Sequence, residues 1–231
     1  GEWIDMPAIT SAGHAVGAMV GFDLAHAAGN VPMDLHDWNV DFAAWCSYKY
    51  LNSGPGAVAG AFVHSRHARD TSLPRLAGWW GTDTATRFRM DRHFSPPATA
   101  DAWQVSNPPI LAMTPVEVSL RIFDEVGIKT LRERSLRLTG YLRSLFDEVI
   151  AELPAGDMVI VTPAHDDRHG CQLSVRFTCD IQRLADTLRD EDGVIADTRN
   201  PDIIRFAPVP LYSTYQDCWR AADALRRRLS S

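Results

Sequence analysis

Continuous apolar runs without polar alternation punctuate the first half of the chain, separated by turn-rich stretches. Ala18 to Phe22, Val40 to Ser47 and Ala57 to Val63 each read as a strand. Runs of this kind suit strands covered on both faces, as in a mainly parallel α/β sheet. Ahead of them, Pro7 to Val16 suits a short helix with Asp5 as its N-cap and Pro7 in the first turn. Leu73 to Pro109 is rich in Pro, Gly and Trp and has little periodicity. So long an irregular stretch in a compact domain is usually functional or an interface. Helical spacing with charged outer faces returns over Ile110 to Phe123 and Lys129 to Leu153, and the second run is long enough to bridge two domains.

The texture changes after Pro154-Ala155-Gly156. Met158 to Thr162 and Cys171 to Phe177 read as strands, Ile181 to Asp190 as a helix, Val194 to Asp197 and Ile203 to Phe206 as short strands, and Tyr215 to Leu229 as a closing helix. The expected organisation is part of an α/β domain over 1–128, a long connecting helix over 129–155 and a small α+β domain over 156–231. Gly1-Glu2-Trp3-Ile4-Asp5 reads like the end of a strand entering a helix, so the chain is expected to be an N-terminally truncated fragment.

Composition narrows the partners. A net charge of −6 over 231 residues, with no long basic block, argues against a general nucleic-acid surface. The run Arg226-Arg227-Arg228 suits the last turn of a helix, where cations face the negative end of the dipole. No apolar stretch approaches the length needed to span a bilayer, and no signal-peptide pattern opens the chain. Cys46, Cys171, Cys179 and Cys218 share no CxxC spacing, as expected of free thiols in a reducing cytosol.

The chemistry sits at two strand ends. The first apolar run delivers Asp23 and His26, and the second delivers Lys49, followed by the turn Gly54-Pro55-Gly56. Ligands of open α/β sheets collect beyond such ends. A lysine at the mouth of a buried strand is costly unless it is neutralised or covalently modified. Pyridoxal 5'-phosphate (PLP) uses both groups: a lysine forms the Schiff base, and a carboxylate keeps the pyridine nitrogen protonated. Taken singly, Lys49 reads as a solvated strand-end lysine and Asp23 as a turn residue; together they favour the cofactor. His64-Ser65-Arg66-His67 and His165-Asp166-Asp167-Arg168-His169 fall in expected loops and lack zinc-site spacing. Gly54-Pro55-Gly56 is neither a P-loop nor a dinucleotide fingerprint, and no Gly-x-Ser-x-Gly elbow is present.

Four segments carry a family resemblance. Asp23-Leu24-Ala25-His26-Ala27, Trp45-Cys46-Ser47-Tyr48-Lys49-Tyr50-Leu51-Asn52, Ser106-Asn107-Pro108-Pro109 and Arg205-Phe206-Ala207-Pro208-Val209-Pro210-Leu211-Tyr212 are similar to kynureninase, a fold-type I PLP hydrolase of tryptophan catabolism. The likeness covers essentially the whole chain but only about the C-terminal half of the family. It implies that residues 1–128 belong to the PLP-binding large domain of a cytoplasmic homodimer. It implies cleavage of the Cβ–Cγ bond of L-kynurenine or 3-hydroxykynurenine, with Lys49 as Schiff base and as the base for the Cα proton.

The same resemblance assigns the other roles. Asp23 would pair with the pyridine nitrogen, as a buried carboxylate beside a cationic ring, and His26 would stand at the cofactor. Tyr48 would contact the phosphate and help proton transfer. Trp79, in Gly78-Trp79-Trp80-Gly81, would donate its indole N–H to a phosphate oxygen, although Trp80 competes for the match. Asn107 would face the substrate's aromatic ring, and Arg205 would clamp its α-carboxylate with a planar fork. In the family the ring-stacking aromatic and the phosphate cup come from the N-terminal half, so the isolated chain is expected to be a poor enzyme. Two alternatives stay open: another fold-type I enzyme of the cysteine desulfurase or aminotransferase kind, and an inactive dimerisation or complementing module.

Overall fold

The computed structural model describes residues 1–89 and 91–230. They form two compact units, Asp5–Glu125 and Gly1–Ile4 with Val126–Ser231.

The first unit opens with helix α1 (Met6–Ala15), capped by the Asp5 carboxylate accepting from the Ala8 N–H, with a proline in its first turn. Strands β1 (Gly21–Asp23), β2 (Phe42–Trp45) and β3 (Gly60–Val63) form a sheet in that order. β1 and β2 are parallel, whereas β3 runs antiparallel to β2. The sheet is therefore mixed rather than mainly parallel. Residues 46–59 are spent on turns, with no crossover helix to return the chain to the same end of the sheet. Nor are the strands covered on both faces as expected. Ala43 of β2 is buried, while Phe42 beside it is half exposed.

Helix α2 (Ser65–Ala68) is one turn long and replaces the loop expected around His64, whose ring nitrogen accepts from the Arg66 N–H and caps it. The Pro/Gly/Trp-rich stretch is irregular, as read from the sequence, apart from a 3-10 turn at Ala100–Trp103. Helix α3 (Ile110–Val126) follows and leaves Ile110, Leu111, Val118 and Ile122 exposed.

The second unit is built on helix α4 (Ile128–Glu152) and the strands β4 (Met158–Ile160) and β5 (Leu173–Phe177). Helix α5 (Ile181–Asp192), strands β6 (Asp197–Arg199) and β7 (Ile203–Phe206) and helix α6 (Tyr215–Leu229) complete it. Its sheet has the order β4-β5-β7-β6, antiparallel throughout. Leu138, Leu142, Phe146 and Val149 recur at helical spacing on α4 and meet Val175 and Ile204 of the sheet, Leu188 of α5 and Leu225 of α6 in one core. The strand expected over 194–197 forms later, at Asp197–Arg199, where the register with β7 begins. Gly193 ends α5 with φ +68°, and Val194 and Ala196 pack on the core instead of pairing. A 3-10 turn at Asp166–Arg168 stands where a loop was expected, and His169 after it is buried. The Arg226–Arg228 run lies in the last turn of α6, where Arg227 and Arg228 both pair with the buried Asp192 carboxylate.

Candidate active site

In the first unit the parallel register sets Asp23 beside Ala44, so β1 and β2 leave the sheet at the same end. The Leu24 N–H donates to the Ala44 carbonyl at 2.8 Å, which carries the pairing one step past β1. The chain then coils, with the Ala27 and Ala28 N–H groups donating to the Leu24 carbonyl at 2.9 and 3.0 Å. Beyond β2 it reverses. The Ser53 N–H reaches the Ser47 carbonyl at 3.0 Å and the Asn52 N–H reaches the Lys49 carbonyl at 2.9 Å. The buried Ser47 hydroxyl donates to the Val58 carbonyl at 2.6 Å, and Asn52 takes the left-handed conformation that closes the turn. Lys49 therefore sits on a pinned turn just outside the strand, partly exposed, rather than at a buried strand mouth.

The two turns touch through Gly29. Its φ is +79°, and a Cβ there would stand 2.7 Å from the Tyr50 carbonyl oxygen and 2.8 Å from its carbon. Both the conformation and the space exclude a side chain. Gly29→Ala is expected to cost roughly 2–3 kcal/mol through the left-handed φ plus a forced backbone shift. Chemical denaturation measures the loss, and a variant as stable as the parent would refute the close approach.

This contact brings His26 over the lysine. The His26 Nε2 lies 3.1 Å from the Lys49 Nζ, and its ring meets Tyr50 edge-on at a centroid distance of 5.9 Å. The lysine amine and the histidine ring nitrogen share this hydrogen bond. Asp23 is exposed, not buried as expected. Its Oδ1 accepts from the Ala25 N–H at 2.9 Å, and among the described residues no hydrogen bond occupies Oδ2. Tyr48 is about half exposed, and the neighbouring Cys46 thiol raises its pKa.

The structure separates the tryptophan pair. Trp79 is 59% exposed and meets Phe88 edge-on at 5.7 Å. Trp80 lies 4.3 Å beneath the Arg87 guanidinium, which also donates to the Trp80 carbonyl. Trp79 borders a cavity of about 490 Å³ shared with Gly78, Thr82, Arg87, Arg92 and His93. Asn107 is exposed in the loop entering α3. Among the described residues no hydrogen bond joins Trp79 or Asn107 to Lys49.

Arg205 lies in the second unit, on β7. Its neighbours Ile204 and Phe206 are buried in the core, so alternation turns Arg205 to the other face of the sheet. Its side chain is 19% exposed and donates to the Asp197 carboxylate through one terminal nitrogen. The Nε is buried without a partner among the described residues, a rarity among buried donors.

One cluster escaped the sequence reading. Asp41, 3% exposed, accepts from the Val20 N–H at 2.6 Å, from His14 Nε2 at 2.8 Å, from His67 Nε2 at 2.6 Å and from the Arg66 guanidinium. The sequence signals were an aspartate inside the apolar run Val40 to Ser47 and the His64-Ser65-Arg66-His67 segment, which nothing local links to it. Burial and the Arg66 charge push the pKa of His64 down, and its ring stacks on His36 at 4.6 Å.

Pyridoxal phosphate fits the groups around Lys49. They offer a primary amine whose partner is a histidine rather than a carboxylate, and an aspartate with an open oxygen.

Comparison with known proteins adds to this geometry. The kynureninase C-terminal domain family matches residues 131–225. The kynureninase of Salinispora tropica is 64% identical over 97% of this chain and 52% of its own length. That of Koribacter versatilis is 53% identical over 95% and 51%. The chain thus spans about half the length of the curated relatives it matches. Among solved structures, the cysteine desulfurase CsdA of Escherichia coli superposes with a TM-score of 0.75 at 19% identity, over 98% of this chain and 55% of that one. An alanine–glyoxylate aminotransferase from Nostoc sp. gives 0.61 at 18% identity, over 95% and 56%. At such identities these likenesses show the fold alone, an α/β fold shared with those proteins. In sequence the chain is similar to kynureninases, over about half of their length.

Proposed function

We propose that this chain supplies the lysine-bearing half of a PLP-dependent hydrolase that cleaves the Cβ–Cγ bond of L-kynurenine or 3-hydroxykynurenine, releasing anthranilate or 3-hydroxyanthranilate and L-alanine. One observation carries the reading: Lys49 and His26 meet at 3.1 Å at the end of the strand pair that also presents Asp23. The curated relatives are named as kynureninases. When bound, PLP supplies an electron sink for the charge that develops at the substrate's Cα.

The chain's own residues do the rest. Lys49 would hold the cofactor, and its free Nζ would take the proton from Cα, with His26 as the adjoining proton acceptor. Asp23 would hold the pyridine nitrogen, and the Trp79 indole N–H and the Tyr48 hydroxyl would hold the phosphate. Asn107 faces the aromatic ring of the substrate. Arg205 holds the α-carboxylate and so sets which Cα bond is aligned for cleavage, a positioning role.

The working form in this reading is a cytoplasmic homodimer. No helix among the described residues is long and apolar enough to cross a membrane. A second reading, a complementing module inactive by itself, is favoured by the apolar residues that α3 leaves exposed, Leu111 at 90% among them.

Borohydride reduction of the PLP-treated protein, followed by peptide mapping, tests the proposal. The experiment is run on this chain and on a hybrid in which it replaces the matching half of the Salinispora tropica enzyme. A pyridoxyl group on Lys49 in the hybrid is expected. Labelling there without labelling of the chain alone supports the complementing role as well. A hybrid unlabelled at Lys49 sinks the cofactor assignment.

A further inference from the structure

We propose that Asp197 is a positioning residue for the substrate carboxylate: itself held by Arg199, it grips one arm of Arg205 and leaves the Nε edge of that guanidinium for the ligand. The proposal rests on the reading above that Arg205 meets an α-carboxylate.

The register of the small sheet makes the arrangement. β6 lies at the edge and pairs with β7 so that Asp197 stands directly opposite Arg205, and Arg199 opposite Ile203. Ser174 of β5 flanks Arg205 on the other side. Alternation puts Asp197, Arg199 and Arg205 on the face that turns away from the core. Asp197 Oδ2 accepts from a terminal nitrogen of Arg205, while its Oδ1 accepts from Arg199 Nη1 at 2.6 Å. One carboxylate thus serves two guanidinium groups, and a net positive charge remains for an incoming anion.

The placement of the donors separates positioning from simple competition. Had Asp197 filled the guanidinium edge with two bonds, a substrate carboxylate would need to displace it. Instead it takes a single terminal nitrogen, and among the described residues the buried Nε has no partner. A buried donor left open calls for an acceptor. An arginine already held at one arm loses less side-chain freedom when the ligand arrives. Asp197 and Arg199 are each about half exposed, so both are open to substitution without disturbing the core.

Simple electrostatics predicts the opposite outcome. Neutralising Asp197 adds one net positive charge and would by itself tighten the binding of any anion. The variant Asp197→Asn keeps the shape of the side chain and decides between the two.

The test is a titration of the intact chain, followed by NMR of the arginine Nε–H signals, with the Arg205 signal identified through Arg205→Lys. The ligands are L-kynurenine and its carboxamide, which differ only in the carboxylate. The expected result is a shift of the Arg205 signal with L-kynurenine and none with the amide. In Asp197→Asn the carboxylate ligand should bind about tenfold more weakly, the scale of losing one charge-assisted contact, while the amide is unaffected. Arg199→Gln should lie between. A loss confined to the acid is one that a general loosening of the sheet would not produce. Equal or tighter binding of L-kynurenine by Asp197→Asn overturns the proposal, and so does the absence of any Arg205 shift in the parent chain. Because the titration uses no cofactor, its failure is distinguishable from a failure to label Lys49, which alone bears on the cofactor chemistry.

Discussion

Replacing Lys49 by alanine is expected to lower kynurenine cleavage by about a thousandfold or more, measured in the hybrid with the Salinispora tropica half. The size follows from two losses at one atom. Lys49 Nζ is the proposed attachment point and also the base at Cα, and removal of a positioned base alone costs about 10²–10⁴-fold. Lys49→Arg should be as inactive, because it keeps the positive charge but offers neither a nucleophile nor a base at neutral pH. His26→Gln should fall in between, since His26 touches the lysine amine rather than replacing it. Unfolding of the alanine variant should match the parent, because Lys49 is partly exposed and the turn beneath it is held by main-chain bonds. Retention of more than a tenth of the parent activity in either Lys49 variant would sink the role given to this residue.

The largest expected effect on stability lies at Asp41. This carboxylate ties α1 through His14, the approach to β1 through the Val20 N–H, and the turn of α2 through Arg66 and His67 to the start of β2. Burial alone would raise its pKa. The Arg66 guanidinium, the Val20 N–H and the two histidines outweigh burial and hold the carboxyl well below the usual range. Asp41→Asn should cost roughly 3 kcal/mol, the scale for breaking a buried, hydrogen-bonded ion pair.

The pH dependence has a definite sign. A depressed carboxyl contributes fully above its ordinary value, 3.8, and the contribution is lost as pH falls below it. His64, also depressed, contributes fully above 6.5 and loses its contribution as pH falls through that region. Acid therefore weakens this unit in two steps. Denaturation midpoints between pH 8 and pH 2 should show both in the parent chain, with the lower step reduced in Asp41→Asn, where the depressed Asp70 carboxyl of the same unit still contributes. A variant with an unchanged acid limb would move the pH sensitivity elsewhere.

The residues of the candidate site were legible because their signals are local. Asp23 and Lys49 end apolar runs, and parallel pairing of those runs brings their ends together. Strand β7 and helix α6 matched their expected bounds because Ile203 to Phe206 is a short apolar run and Thr214 with Asp217 forms a capping box. What stayed hidden depends on the third dimension. The direction of β3 is set by the absence of a crossover helix, which an apolar run does not encode. The contact of His26 with the lysine amine depends on the close Gly29 approach, which no local run of the sequence encodes. Arg66 and His67 lie 25 and 26 positions from Asp41, and only the fold of β2 against β3 and α2 makes them partners. Asp197 was read as the end of a strand, and its meaning lies in the register opposite Arg205.

The pinned turn under Lys49 has a kinetic consequence. Its backbone is fixed by the Ser53–Ser47 and Asn52–Lys49 bonds, by Gly29 pressed against the Tyr50 carbonyl and by the Ser119 hydroxyl donating to the Leu51 carbonyl. The pivot of the side chain therefore stays still while its four-carbon stem turns. Swinging the amine toward or away from a bound molecule is then a matter of rotamer changes on the picosecond-to-nanosecond scale, and no loop has to open first. A crank on a fixed bearing keeps the same radius at every stroke, so the amine returns to the same small set of positions each cycle.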